Sequence, residues 1–122
     1  MKLDLDNTSG KRIINAYDTD EIRVNGAYFR NNLIITPDKV IPDWIKKEFS
    51  LLDTEDFDAV LDDKPGIILL GTGAKFRVPP AKLRTDLFQL GIALEFMDTQ
   101  AACRTYNILA LENRRVVAAL II

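Results

Sequence analysis

The feature that most constrains this chain is an apolar run, Gly66-Ile67-Ile68-Leu69-Leu70, that stops at Gly71-Thr72-Gly73. Bounded by glycines and rich in branched side chains, it reads as a short strand rather than a helix. A strand that is apolar at successive positions must be covered on both faces, as strands of an α/β sheet are. The pattern then repeats. Pro79-Pro80 opens a helix whose Leu83, Leu87 and Leu90 recur at i, i+4 and i+7 as a buried stripe, and Gly91 ends it. Residues 92–97 form the next strand. Asp98 or Thr99 caps a second helix with Ala102, Tyr106 and Leu109 on one face, and Arg114-Arg115 lead into a last strand over residues 116–122. The order β-α-β-α-β predicts an α/β domain.

The half before Lys64-Pro65-Gly66 is β-rich. Residues 12–17 and 21–24 read as strands around the turn-forming Asp18-Thr19-Asp20. Asn25-Gly26 is a tight-turn signal, and Tyr28-Phe29 and Leu33-Ile34-Ile35 continue the strand-like character. Pro37 and Pro42 bracket a loop leading to Trp44-Ile45. From Asp53 the period changes: Asp53 or Thr54 can cap a short helix with Phe57, Val60 and Leu61 at i, i+3 and i+4. Neither half of a 122-residue chain is large enough for a good core alone. Residues 1–122 are therefore read as a single domain, its β-rich N-terminal half wrapped onto the C-terminal β-α-β-α-β.

Charge and rare residues narrow the function. Residues 1–64 carry nine Lys/Arg against fourteen Asp/Glu, and residues 65–122 carry seven against four, for a total of −2. With no excess of positive charge, neither nucleic acid nor an anionic membrane surface is expected as a partner. The chain has no histidine and one cysteine. That excludes a His zinc site, a Ser–His–Asp triad, a Cys–His pair and an intrachain disulfide, and it favours a reducing compartment. Met1-Lys2-Leu3-Asp4-Leu5-Asp6 has acids where a signal peptide needs a basic end, and the longest apolar run falls far short of the ~20 residues that span a bilayer. The expectation is a cytoplasmic chain with no integral membrane segment. The acidic run Asp53, Glu55, Asp56, Asp58, Asp62, Asp63 lacks calcium-loop spacing and reads as the solvated face of its helix, or as an acidic docking surface.

Four places can carry chemistry. Gly71-Thr72-Gly73 ends a strand where open α/β sheets bind ligands, and Lys75 and Arg77 stand nearby. It lacks the third glycine of a dinucleotide fingerprint and the Gly-Lys-Ser/Thr ending of a Walker loop. Two readings stand: a sharp turn, or backbone amides converging on an anion. Asp98 and Thr99 end the neighbouring strand, as a helix cap or as a general base and ligand contact. Cys103 lies in the first turns of that helix beside Arg104, as a core residue or as a reactive thiolate with Asp98, Glu112 or water as its proton acceptor. Asn107 shares its side of the helix and can bond the glycine-loop backbone or a ligand. No metal and no cofactor is implied by these residues.

The string Gly71-Thr72-Gly73, Gly91-Ile92, Glu95, Asp98-Thr99, Ala102-Cys103, Thr105-Tyr106-Asn107, Glu112, Arg115 and Ala118-Ala119-Leu120, in this order and spacing, resembles the family called domain of unknown function 498/598. Gly26, Tyr28, Leu33 and Pro37 before Trp44 resemble its β-rich entry, so the likeness covers about residues 13–122. Asn31-Asn32 stand where that family often has Gly-Ser. Its members include the mitochondrial NADH:ubiquinone oxidoreductase (complex I) assembly factor 3. The resemblance implies a three-layer α/β fold around a mixed central sheet, no established catalytic set, and work through protein partners. This chain reads as a stand-alone bacterial member. Two functions follow as expectations. One is a non-catalytic, assembly-factor-like protein that binds an unidentified protein partner through a sheet edge, the Trp44 region or the acidic helix. The other is a binding protein or enzyme for a small anionic ligand, using Gly71, Thr72, Gly73, Asp98, Thr99, Cys103 and Asn107. A homo-oligomer is an open alternative for the assembly state.

Overall fold

The computed structural model describes residues 10–122, so the acidic start at residues 1–6, and what it implied about targeting, lies outside the described residues. The two turn clusters of the first half each reverse the chain. They give an antiparallel meander of β1 (Ile14–Asp18), β2 (Glu21–Val24) and β3 (Ala27–Phe29). Asn25 and Gly26 both take positive φ, 47° and 92°, as a two-residue hairpin turn requires. β4 (Leu33–Ile35) pairs antiparallel with β5 (Val40–Pro42). The stretch read as a loop between two prolines thus contains a short strand. It lies at a sheet edge, and Pro42 ends it there, where a missing N–H is tolerated.

Asp53 caps the next segment as expected. Its carboxylate accepts from Glu55 N–H at 3.0 Å, and the Asp56 carboxylate accepts from Asp53 N–H at 2.9 Å. The turn it starts is 3-10 over Thr54–Phe57 before one α-helical turn, α1 (Asp58–Leu61). The second half then follows the predicted order: β6 (Ile67–Gly71), α2 (Ala81–Gln89), β7 (Ala93–Met97), α3 (Thr99–Leu111) and β8 (Val116–Leu120). β6 lies between β7 and β8 and runs parallel to both, β4 joins β8 antiparallel, and the five-stranded order is β5-β4-β8-β6-β7.

The alternation of side chains along these strands makes two cores, one on each face of a mixed sheet. Ile68 and Leu70 of β6 point with Val117, Ala119 and Ile34 toward α2, where Leu83, Leu87, Phe57 and Trp44 complete one core. Leu69 points the other way with Ala118, Leu120, Leu33 and Ile35, under α3 and the β1–β3 sheet. The fold is a three-layer α/β arrangement. Leu90 corrects the expected stripe: it lies one residue beyond α2, where Gly91 (φ 81°) turns the chain away, and it is 59% exposed. Trp44 is likewise buried, its Nε1–H donating to Leu120 O at 3.1 Å, so it braces β8 instead of offering a docking surface. The carboxylates of the acidic segment are mostly exposed, and Asp53, Asp56 and Asp63 pair with Lys47 and Lys39.

Candidate functional site

Parallel packing of β6 against β7 brings Gly71-Thr72-Gly73 and Asp98-Thr99 together at the carboxyl ends of their strands, as their positions in the sequence suggested. Thr99 is the centre of the arrangement. Its Oγ1 accepts from Gly73 N–H at 2.8 Å and donates to Ile121 O at 2.5 Å, while its own N–H donates to Gly73 O at 2.9 Å. Three elements, β6, α3 and the end of β8, are thereby tied at one buried hydroxyl. The approach is close enough to require glycine. A Cβ at position 71 would stand 2.9 Å from Thr99 Oγ1, 3.1 Å from Thr99 Cα and 3.0 Å from Leu120 Cδ2. Gly73 needs its freedom for a different reason, a φ of 104°.

Thr72 continues the turn. Its N–H donates to Met97 O at 2.8 Å, its hydroxyl donates to Lys75 O and accepts from Arg77 N–H, and its carbonyl accepts from Arg77 Nε at 3.1 Å. The Arg77 guanidinium also lies 4.2 Å from the centre of the Phe49 ring. Arg77 therefore closes the loop. Asp98 caps α3, accepting from Ala101 N–H at 2.9 Å.

Cys103 and Asn107 sit apart from this loop, inside the α3 core. Cys103 is fully buried, and burial pushes its thiol up to about 12, outweighing the nearby Arg104. Asn107 pairs with β1 and not with the glycine loop: its Oδ1 accepts from Ile14 N–H and its Nδ2 donates to Ile14 O, both at 2.8 Å. Tyr106 adds a second tether, its hydroxyl donating to Arg12 O at 2.8 Å, and burial raises its pKa well above the ordinary phenol value.

A cleft of about 310 Å³ opens beside the loop, lined by Tyr17, Asp18, Thr19, Gly73, Ala74, Asp98 and Gln100. Of the seven candidate residues, Gly73 and Asp98 face it. Its other wall comes from the β1–β2 turn, whose place there depends on how the small sheet packs over α3 and has no local signal in the sequence. The cleft is acidic. Asp18 is held below the ordinary carboxylate pKa by the Thr19 N–H and hydroxyl, which donate to its Oδ1 at 2.8 and 3.1 Å. Tyr17 is raised by burial and by the neighbouring Cys103, Asp98 and Asp18. Two carboxylates with no Lys or Arg in the lining favour a cationic over an anionic visitor. Among the described residues, no three His, Cys, Asp or Glu side chains are grouped to hold a metal. No helix among them is long and apolar enough to cross a membrane.

Comparison with known proteins sets these observations beside relatives. A sequence profile described as "Protein of unknown function (DUF498/DUF598)" matches residues 14–121. A "13 kDa major membrane protein" of Francisella tularensis is 41% identical over 64 residues, 52% of this chain and 52% of that protein. The NADH dehydrogenase (ubiquinone) 1 alpha subcomplex assembly factor 3 of Danio rerio is 31% identical over 119 residues. That match takes in 93% of this chain and 66% of the relative. The chain thus spans about half of the first relative's length and just under two thirds of the second's. The solution structure of a Xanthomonas campestris protein superposes with a TM-score of 0.81 at 35% identity, covering 99% of this chain and 92% of that one.

Proposed function

The chain belongs to the DUF498/DUF598 family of proteins of unknown function, and from that premise we propose that it is a non-catalytic interaction protein, assembly-factor-like in role, acting through a protein partner. One observation carries the reading. The side chains that a catalytic or ligand site would recruit are already bonded to backbone: Thr99 to Gly73 and Ile121, Thr72 to Lys75 and Arg77, Asn107 to Ile14. Such groups rigidify a platform and leave little hydrogen-bonding capacity for a substrate. The naming of a relative that matches 93% of this chain as an assembly factor supports the same role.

The alternative, a small anionic ligand held by Gly71, Thr72, Gly73, Asp98, Thr99, Cys103 and Asn107, draws less support. Cys103 and Asn107 are in the core, and the cleft beside Gly73 carries the Asp18 and Asp98 carboxylates, which repel an anion. A cytoplasmic location is part of the proposal, supported by a single unpaired cysteine.

The test is chemical cross-linking in the native host, then purification of the tagged full chain with quantitative mass spectrometry. The proposal expects one partner at near-equal stoichiometry, enriched in incomplete assemblies over the finished complex. Captures that stay empty after cross-linking would sink it.

A further inference from the structure

β7 ends the five-stranded sheet, and the direction of its peptide groups decides what can pair with it. Ala93 N–H donates to Gly66 O at 3.1 Å, and Met97 O accepts from Thr72 N–H at 2.8 Å. Both residues thus face β6, and by alternation so does Glu95. The N–H and C=O groups of Leu94 and Phe96 point outward, away from the sheet. One side of this edge is apolar, with Phe96 stacked on the 59% exposed Phe76 at 5.7 Å between ring centroids. The other side carries half-buried Met97 and exposed Glu95, and Glu95 has no ion pair among the described residues.

A charge on an open edge selects which strand can add to it. A second copy pairing antiparallel through β7 about a two-fold axis must set one residue opposite itself. Centred on Leu94, it would bring Phe96 opposite Ile92, whose N–H already donates to Leu87 O at 3.0 Å. Centred on Phe96, it would bring Leu94 opposite Asp98, whose carbonyl already accepts from Ala102 N–H at 3.0 Å. Centred on Glu95, Leu94 and Phe96 of both copies exchange all four free bonds, but two carboxylates then face each other on Cα atoms about 4.5 Å apart. The edge that is open to a strand is therefore closed to its own copy.

We propose that the β7 edge binds an antiparallel β-strand of a different protein with the pattern apolar–basic–apolar. Its Lys or Arg lies opposite Glu95, and its flanking apolar side chains lie opposite Leu94 and Phe96 against the Phe76 ring. This is strand addition, in which backbone bonds give affinity and alternate side chains give specificity. It rests on the interaction-protein reading and assigns that reading a surface and a partner chemistry.

The probes are two capped peptides, Thr-Val-Lys-Val-Thr and Thr-Val-Glu-Val-Thr, titrated into the 15N-labelled full chain. The lysine peptide should shift the Leu94 and Phe96 amides and bind at least about tenfold more tightly than the glutamate peptide. Glu95→Lys should invert that preference. Equal binding of both peptides, no shift at Leu94 and Phe96 with either at millimolar concentration, or an unchanged preference in Glu95→Lys overturns the proposal. In sedimentation velocity Glu95→Val should self-associate where the wild type stays monomeric; a monomeric Glu95→Val, or a wild-type dimer through β7, also counts against it. If cross-linked capture succeeds and Glu95→Lys retains the partner, the edge assignment fails and the interaction reading survives. If the wild type captures nothing, the interaction reading itself fails.

Discussion

Cys103 illustrates how a side chain's surroundings overrule its position in a helix. The first turns of α3 and the adjacent Arg104 would lower a thiol pKa, yet full burial dominates and the thiol stays protonated up to about 12. That has a measurable consequence. Above the ordinary thiol value of 9.0 the unfolded chain loses this proton while the folded chain keeps it. The folded state then binds more protons, so stability falls as pH rises, by up to about 1.4 kcal/mol per unit. Between about pH 9 and about pH 10 Cys103 contributes more than either Tyr17 or Tyr106, which are also raised by burial but start from 10.0. Urea unfolding across that window should show a steeper decline in the wild type than in Cys103→Ala. A decline of equal slope in both would assign it to another group. That Cys103 is buried was legible from the apolar face it shares. The role of Thr99 was not, because its partners, Gly73 and Ile121, come near only once β6, β8 and α3 are in register.

The elements divide along the same line. Strands and helices with a strong local signature were readable: the continuous apolar β6, the Asn25-Gly26 hairpin, the Asp53 and Asp98 caps. Three features needed tertiary information. β5 owes its pairing to β4 across a turn held by Thr36, whose hydroxyl accepts from Asp38 and Lys39 N–H. Leu90 falls outside the core because α2 stops one residue earlier. The β1–β3 sheet lies over α3 because Asn107 and Tyr106 grip the backbone at Ile14 and Arg12. Asn107→Leu keeps most of the volume but leaves a buried N–H and a buried C=O unpaired, a cost of about 2 kcal/mol or more. Hydrogen exchange should then accelerate first at Ile14 and through β1 and β2, while β6 and β8 keep their protection. Uniform acceleration of every strand would mean that Asn107 supports the whole core and not this attachment.

At the scale of the molecule, the central sheet joins two cores that no loop separates. β4, β6 and β8 each send alternate side chains to both faces, so opening either layer exposes residues of the strands on which the other depends. One domain covering the chain is the proposal this supports, and the sequence supplies its own reporters. The single tryptophan and the single cysteine lie in different cores, Trp44 on the α2 face and Cys103 on the α3 face. If the chain unfolds as one cooperative unit, the urea midpoint from Trp44 fluorescence should coincide with that from pulsed thiol labelling of Cys103. Labelling at neutral pH suits this, since the native thiol is both covered and protonated. A Cys103 transition well below the Trp44 one would identify α3 and the β1–β3 sheet as a separately melting layer. The edge strand β7 would then be presented by a sheet that loses one of its covers first. Coincident midpoints instead describe a rigid platform, whose partner must fit the β7 edge as it stands.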